Sequence, residues 1–196
     1  MQEIVYQLPF KACLILNEFE GRDLVYFFMV YSFMGWILEN SFSFLTKRGF
    51  FKEGFFWGPF KPMYGFAPLL LLFSITPNTH WLIFSILCLI VPTAVEYASG
   101  FLLQKYCHRQ WWDYSNLPMQ LHGHICMPFS IGWLLLSMIC IKFIHPLMIT
   151  SYQGIESVWK WIYPVALVYL AVELFFALKR HTNKGVRIQK STNTIQ

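Results

Sequence analysis

Four stretches of this chain, residues 24–45, 81–103, 126–149 and 157–178, stay apolar long enough to cross a bilayer, which takes a helix about 20 residues. Inside hydrocarbon the backbone must satisfy its own hydrogen bonds, so runs of this kind fold as helices packed on one another. The expected fold class is all-α, a polytopic membrane helical bundle. Composition agrees: 56% of residues are hydrophobic and 13% charged, where a soluble domain carries about 25% charged residues. A fifth apolar run, 63–76, reaches only about 21 Å at the α-helical rise. It is expected as a short second span, tilted or re-entrant, with local thinning of the bilayer. Trp81 opens the third segment, and Trp159, Lys160, Trp161 and Tyr163 open the last, as aromatic and basic residues do at membrane interfaces.

Five spans place the termini on opposite sides. One side then carries 11 Lys and Arg, from Lys47, Arg48, Lys52 and Lys61 through Lys105 and Arg109 to the C-terminal cluster, against 3 on the other, with Lys142 inside a span. The positive-inside rule makes the first side cytoplasmic: N-terminus out, C-terminus in. If 63–76 dips in and returns instead, this parity fails. The expected organisation is an interfacial segment over 1–23, a single membrane domain over 24–178, and a basic, disordered cytoplasmic tail over 179–196. Glu3, Pro9 and Lys11 argue against a signal peptide at the N-terminus. Five scattered cysteines imply no disulfide framework. The net charge of +5 resides in membrane-flanking stretches and lacks the stacking aromatics of a nucleic-acid surface, so no nucleic-acid partner is expected. The sequence carries no P-loop, nucleophile elbow or Rossmann fingerprint. The chain is therefore not its own ATPase, no cofactor is called for, and an enzyme is the less favoured class.

Three glutamates interrupt the apolar segments: Glu39, Glu96 and Glu173, each a few residues before the basic residue that closes its segment. Under the five-span topology they lie roughly 9–13 Å below the cytoplasmic boundary by helix rise. Ionisable groups at such depth are costly, and ordinarily face a bundle interior or an aqueous path. The plainer reading is that each reaches separately for the headgroups. Pro92, one turn before Glu96, is expected to kink its helix and free a carbonyl near the carboxylate.

Two cytoplasmic loops are unusual. In the first, Gly58-Pro59, Pro62 and Gly65 defeat continuous helix among Phe50, Phe51, Phe55, Phe56, Trp57, Phe60 and Tyr64. This is either an interfacial aromatic belt or irregular backbone lining a cavity. In the second, Lys105 to Ser115, Asp113 either pairs with Arg109 across a helical turn or caps the segment after it. Arg109 beside Trp111, Trp112 and Tyr114 is also a candidate for holding a phosphate. Cys107, His108, His122, His124 and Cys126 are of zinc-ligating type but lack zinc spacing, so no metal site is assigned. The order of span, Glu, basic residue, aromatic Gly/Pro loop and span occurs twice, around Glu39 and around Glu96, as a faint parallel repeat.

Tyr31-Ser32-Phe33-Met34-Gly35-Trp36-Ile37-Leu38-Glu39, Arg48-Gly49-Phe50, Gly58-Pro59-Phe60, Pro62-Met63-Tyr64-Gly65, Glu96-Tyr97 and above all Trp111-Trp112-Asp113-Tyr114-Ser115 resemble the CmpB family, or ABC-transporter type IV, with which vertebrate transmembrane protein 229 is grouped. The resemblance covers roughly residues 24–146. It implies a small multi-pass membrane protein of transporter-permease type, and by position marks Glu39, Arg48, Gly49, Gly58, Pro59, Tyr64, Glu96, Trp112, Asp113 and Tyr114 as motif residues. Lys61, at a place usually uncharged, and His124, where Arg is frequent, depart from the pattern. Glu173 falls beyond the resemblance.

The sequence thus points to a multi-pass protein of the cell membrane, a transport component with Glu39, Arg48, Gly58, Pro59, Tyr64, Glu96, Arg109, Trp112, Asp113 and Tyr114 as candidate substrate- or ion-binding residues. Its expected partners are the lipid bilayer, a separate ATPase subunit and further copies of itself. The alternatives are an enzyme of the cytoplasmic leaflet acting on a lipid or phosphorylated substrate, and a non-catalytic assembly or sensor protein.

Overall fold

The computed structural model describes residues 20–47, 54–76 and 78–193, with the side chains of all of these but Lys47 and residues 183–193. Residues 1–19, most of the expected interfacial segment, lie outside the described residues, as does Arg48. The chain is mostly helical: α1 (Gly21–Lys47), α2 (Pro62–Ser74), α3 (Trp81–Cys107), α4 (Met127–Ile139) and α5 (His145–Asn193), with two short strands, β1 (Gln120–Leu121) and β2 (Ile125–Cys126), before α4.

Helix α1 starts where Asp23 reaches back to accept the amide of Glu20 at 2.9 Å, half of a capping box. Helix α2 starts on Pro62, where the missing N–H costs nothing, and is only 13 residues long. Helix α3 is capped by His80, whose ring accepts the amide of Leu82 at 3.3 Å, and ends on His108 with φ 50°. The helix therefore stops before Arg109, and the helical Asp113–Arg109 pair does not form. Arg109 instead lies over the Trp111 ring, 5.1 Å from its centroid.

Helix α1 packs most extensively on α2, and α3 on α4. The first pair meets at glycines. A Cβ on Gly35 would overlap Cβ and Cγ of Tyr64, and one on Gly65 would overlap Ser32 and the Phe28 ring. Small residues at such crossings let two backbones approach, as membrane helix pairs do.

The segments expected as separate fourth and fifth spans are joined. α4 passes through a π-helical turn, Cys140–Ile144, directly into α5. Between 149 and 157 only Gly154 disfavours helix, and one glycine costs only about 1 kcal/mol. The contacts nevertheless show a sharp bend. His145 meets Tyr31, Tyr152 meets Asp23 and Trp159 donates to the Arg22 carbonyl, so the chain runs along α1 toward its start. Tyr169 then packs on Phe60, whose neighbour Lys61 donates its amide to the Ser32 carbonyl, so the chain has returned. A straight helix from 145 to 169 would be about 36 Å long, too long for these contacts along α1. The two legs run in opposite senses, with the bend between Tyr152 and Trp159.

Among the described residues two helical stretches, α3 and Met127–Thr182, are long and apolar enough to cross a membrane. α1 is long enough but carries Tyr26, Tyr31, Ser32, Glu39 and Asn40, and α2 is too short. Several polar side chains are buried beside an apolar core, and many large apolar ones remain on the surface. Asp23, Ser32, Asn40, Glu96 and His145 are buried, while Ile83, Ile90, Leu102, Leu135, Val165, Val168 and Phe175 are exposed.

Candidate functional site

The polar residues that distinguish this chain converge between the end of α1, the middle of α3 and the start of α4. A cleft of about 560 Å³ opens there, lined by Glu39, Tyr64, Glu96, Trp111, Trp112, Asp113, Tyr114, Phe129 and Trp133 together with Leu38, Phe42, Ser43, Thr46, Met63 and Leu136. Six of the ten sequence-derived candidates, Glu39, Tyr64, Glu96, Trp112, Asp113 and Tyr114, share this space. Gly58, Pro59 and Arg109 do not line it, and Arg48 lies outside the described residues.

Glu96 is 3% exposed. The indole N–H of Trp133 donates to its Oε2 at 2.9 Å, and the hydroxyl of Tyr114 donates to Oε1 at 3.1 Å. No lysine or arginine lines the cleft among the described residues. A buried carboxylate is tolerable only when its lone pairs are met, and here one neutral donor meets each oxygen. Glu39 is neutralised differently: Lys61 Nζ stands 3.1 Å from its Oε2, with Lys61 itself 8% exposed. The lysine that departs from the family pattern is thus the partner of a motif carboxylate.

The Trp-Trp-Asp-Tyr-Ser element works as a positioning device. Trp112 donates its indole N–H to the His124 carbonyl at 2.8 Å. Asp113 Oδ1 accepts the Ser115 amide at 2.9 Å and the Ser115 hydroxyl at 2.5 Å, a local Asx turn. The Tyr114 amide donates to the Gly123 carbonyl at 2.9 Å. Gly123 sits at φ 71°, beside His122 at φ 53°, in the tight turn joining β1 to β2. A Cβ there would stand 2.8 Å from both Asp113 Oδ1 and Ser115 Oγ. Pinned on both sides, Tyr114 stacks on Phe129 at 4.7 Å and aims its hydroxyl at Glu96. Burial, then the charge of Glu96, pushes the Tyr114 phenol far above its ordinary range, so it remains a donor.

Asp113 is exposed, and its hydrogen bonds from the Ser115 hydroxyl and amide hold its carboxyl below the usual aspartate range. A depressed carboxyl contributes stability that is present above the unfolded-state pKa and is lost as pH falls through the folded one. The turn is therefore expected to hold throughout the neutral and mildly acidic range. The Ser115 amide shift in an NMR titration should move only below the ordinary aspartate range, and Asp113→Asn should remove that transition. A transition at or above the ordinary range would contradict the assignment.

Glu173 does not reach the cleft. Its oxygens accept the backbone amides of Trp57 and Gly58, each at 3.0 Å, and the Tyr169 hydroxyl at 3.0 Å. Further along the same helix, Arg180 donates to the Phe55 carbonyl at 2.7 Å and packs over Trp57. The second leg of α5 thus clasps the Gly-Pro loop by its backbone. Glu173→Ala removes two hydrogen bonds to a carboxylate, one exposed and one part-buried, each contributing about 1 kcal/mol. Hydrogen exchange at Trp57 and Gly58 is expected to accelerate about tenfold or more, with Glu173→Gln intermediate. Unchanged exchange would rule out the clasp.

The Cys/His residues disperse. His122 bonds the Tyr97 hydroxyl at 3.0 Å, His124 packs edge-on against the same ring, and Cys107 and Cys126 are buried. Among the described residues no three metal-ligating side chains gather. Sequence reasoning missed Trp133 and Phe129, which lie inside an outwardly featureless apolar run. The one available signal was an indole N–H in the middle of a span, since a buried tryptophan usually finds an acceptor.

Residues 26–178 match the family described as "Putative ABC-transporter type IV", CmpB. The chain belongs to this family. The match runs from α1 to the second leg of α5 and contains every residue of the cleft. It also extends beyond residue 146, so Glu173, read from the sequence as lying outside, falls within the CmpB region. No curated protein and no solved structure is detectably similar to the chain.

Proposed function

We propose that this CmpB-family protein is a multi-pass component of a cell-membrane transporter whose cleft binds a cation beside Glu96. The observation that carries the reading is a buried carboxylate, held by two neutral donors, at the wall of a cleft with no basic lining residue among those described. A carboxylate so placed gains most when a cation enters. The apolar exterior supports a bilayer setting, since soluble monomers rarely expose apolar patches beyond a few hundred Å². In this reading the five spans are α1, α2, α3, the run from α4 into the first leg of α5, and its second leg. The loops with most of the basic residues then face the cytoplasm, and the cleft opens toward that side. Five spans are few for a transport path, which favours further copies, and an ABC-type role requires a separate ATPase docked on the basic loops.

Cation titrations of the wild-type protein in nanodiscs, read by intrinsic fluorescence, test the reading directly because Trp111, Trp112 and Trp133 line the cleft. A saturable response to at least one cation among sodium, potassium, ammonium and tetramethylammonium is expected. Silence toward all of them would overturn it. Reactive tags on the two termini test the topology, and both tags on one side would defeat five spans.

A further inference from the structure

We propose that the cleft takes an alkylated ammonium group, held by an aromatic cage with Glu96 as its counter-ion, rather than a small inorganic cation. The inference rests on the reading of the cleft as a cation site and names the chemical class of its occupant.

Most oxygen atoms around the cleft already carry a hydrogen bond or an ion pair, so a bare metal ion would have to compete for them. Both oxygens of Glu96 accept hydrogen bonds from the protein. Glu39 faces Lys61, Asp113 Oδ1 is bonded twice by Ser115, and the Thr46 hydroxyl donates to the Phe42 carbonyl at 2.8 Å. Hard cations such as calcium or magnesium require about six or more oxygens around one point. The cleft presents rings instead: Tyr64, Trp111, Trp112, Tyr114, Phe129 and Trp133. An aromatic face attracts a cation through its quadrupole, and most usefully a weakly hydrated one that sheds water cheaply. Trp111 already holds a cation in this way, the guanidinium of Arg109. The space, about 560 Å³, far exceeds a dehydrated metal ion and lies within the range of small-molecule sites. Charge agrees as well. Lys61 pairs with Glu39, leaving Glu96 as the buried carboxyl without a basic partner in the lining and Asp113 as a second acidic group there.

An alkylated ammonium reaches such a cleft either as a dissolved solute or as the headgroup of a lipid, and the experiment separates the two. Protein in nanodiscs without choline lipids is titrated with tetramethylammonium, ammonium, sodium and potassium. Tetramethylammonium is expected to bind about tenfold or more tighter than the others, the scale of a desolvated cation–π contact. Tyr64→Leu and Phe129→Leu should each weaken tetramethylammonium about fivefold or more. Melting temperatures measured in parallel control for misfolding of the two leucine variants. Repeating the titration in phosphatidylcholine nanodiscs identifies the source. An unchanged response means a soluble ligand, and a response already saturated by the bilayer means a headgroup. Either outcome upholds the cage. Inorganic cations binding as well as tetramethylammonium, or tetramethylammonium binding indifferent to loss of the rings, overturns the cage and leaves the cation site standing. No response to any cation removes both.

Discussion

Glu96→Gln is expected to weaken cation binding about 30-fold or more while the bundle stays folded, because removing one partner of a buried charge pair costs about 2–5 kcal/mol. Glutamine fills the same volume and can preserve both local bonds. Its oxygen accepts from Trp133 as Glu96 now does, and its amide can donate to the Tyr114 hydroxyl, which rotates from donor to acceptor. The formal charge is the main thing lost. Alanine is a poorer probe, since it strands the Trp133 N–H in a buried site at a further cost of about 1–3 kcal/mol. Titration of both variants, with melting temperatures measured in parallel, separates charge from packing. A glutamine variant that binds cations like the wild type would show that the carboxylate charge does nothing in the cleft.

Gly35→Val carries the largest expected effect on stability. The atoms that a new side chain would meet are Cβ and Cγ of Tyr64, at the root of that side chain, where no rotamer change gives relief. Helices α1 and α2 would have to separate, and the Lys61 amide would lose its hold on the Ser32 carbonyl. Overpacking of a well-filled interface costs about 1–3 kcal/mol, and a backbone-limited contact stands at the upper end. Because Tyr64 also lines the cleft, the same substitution should impair cation binding. A valine variant with wild-type melting and wild-type binding would show that the close crossing is not required.

Much of this architecture was legible in residue order alone. Apolar length identified the helices, and the cost of burying a carboxylate singled out Glu39 and Glu96, which do share one cleft. What escaped was anything dependent on helical phase or on a partner distant in sequence. Glu173 has the same sequence context as the other two, yet it turns to the Gly-Pro loop and bonds its backbone amides. Lys61 reads as a loop cation and is buried against Glu39. The role of Trp-Trp-Asp-Tyr-Ser as a pin for Tyr114 depends on Gly123, a turn residue further along the chain with no outward mark of importance. The continuity of the fourth and fifth expected spans within one helix escaped for a different reason: Gly154 alone does not end a helix, and the stretch 149–157 runs on inside α5.

The central claim is a cation site beside Glu96 that opens toward the side of the basic loops. Sided addition of tetramethylammonium, a cation that does not cross bilayers, tests it in vesicles holding the protein in one known orientation. Tryptophan emission from the cleft should change when the cation is added to the face bearing the loops at residues 54–61 and 108–126, should stay constant when it is added to the opposite face, and should not respond in Glu96→Gln. A response from the opposite face alone, or an equal response in the glutamine variant, would contradict the account.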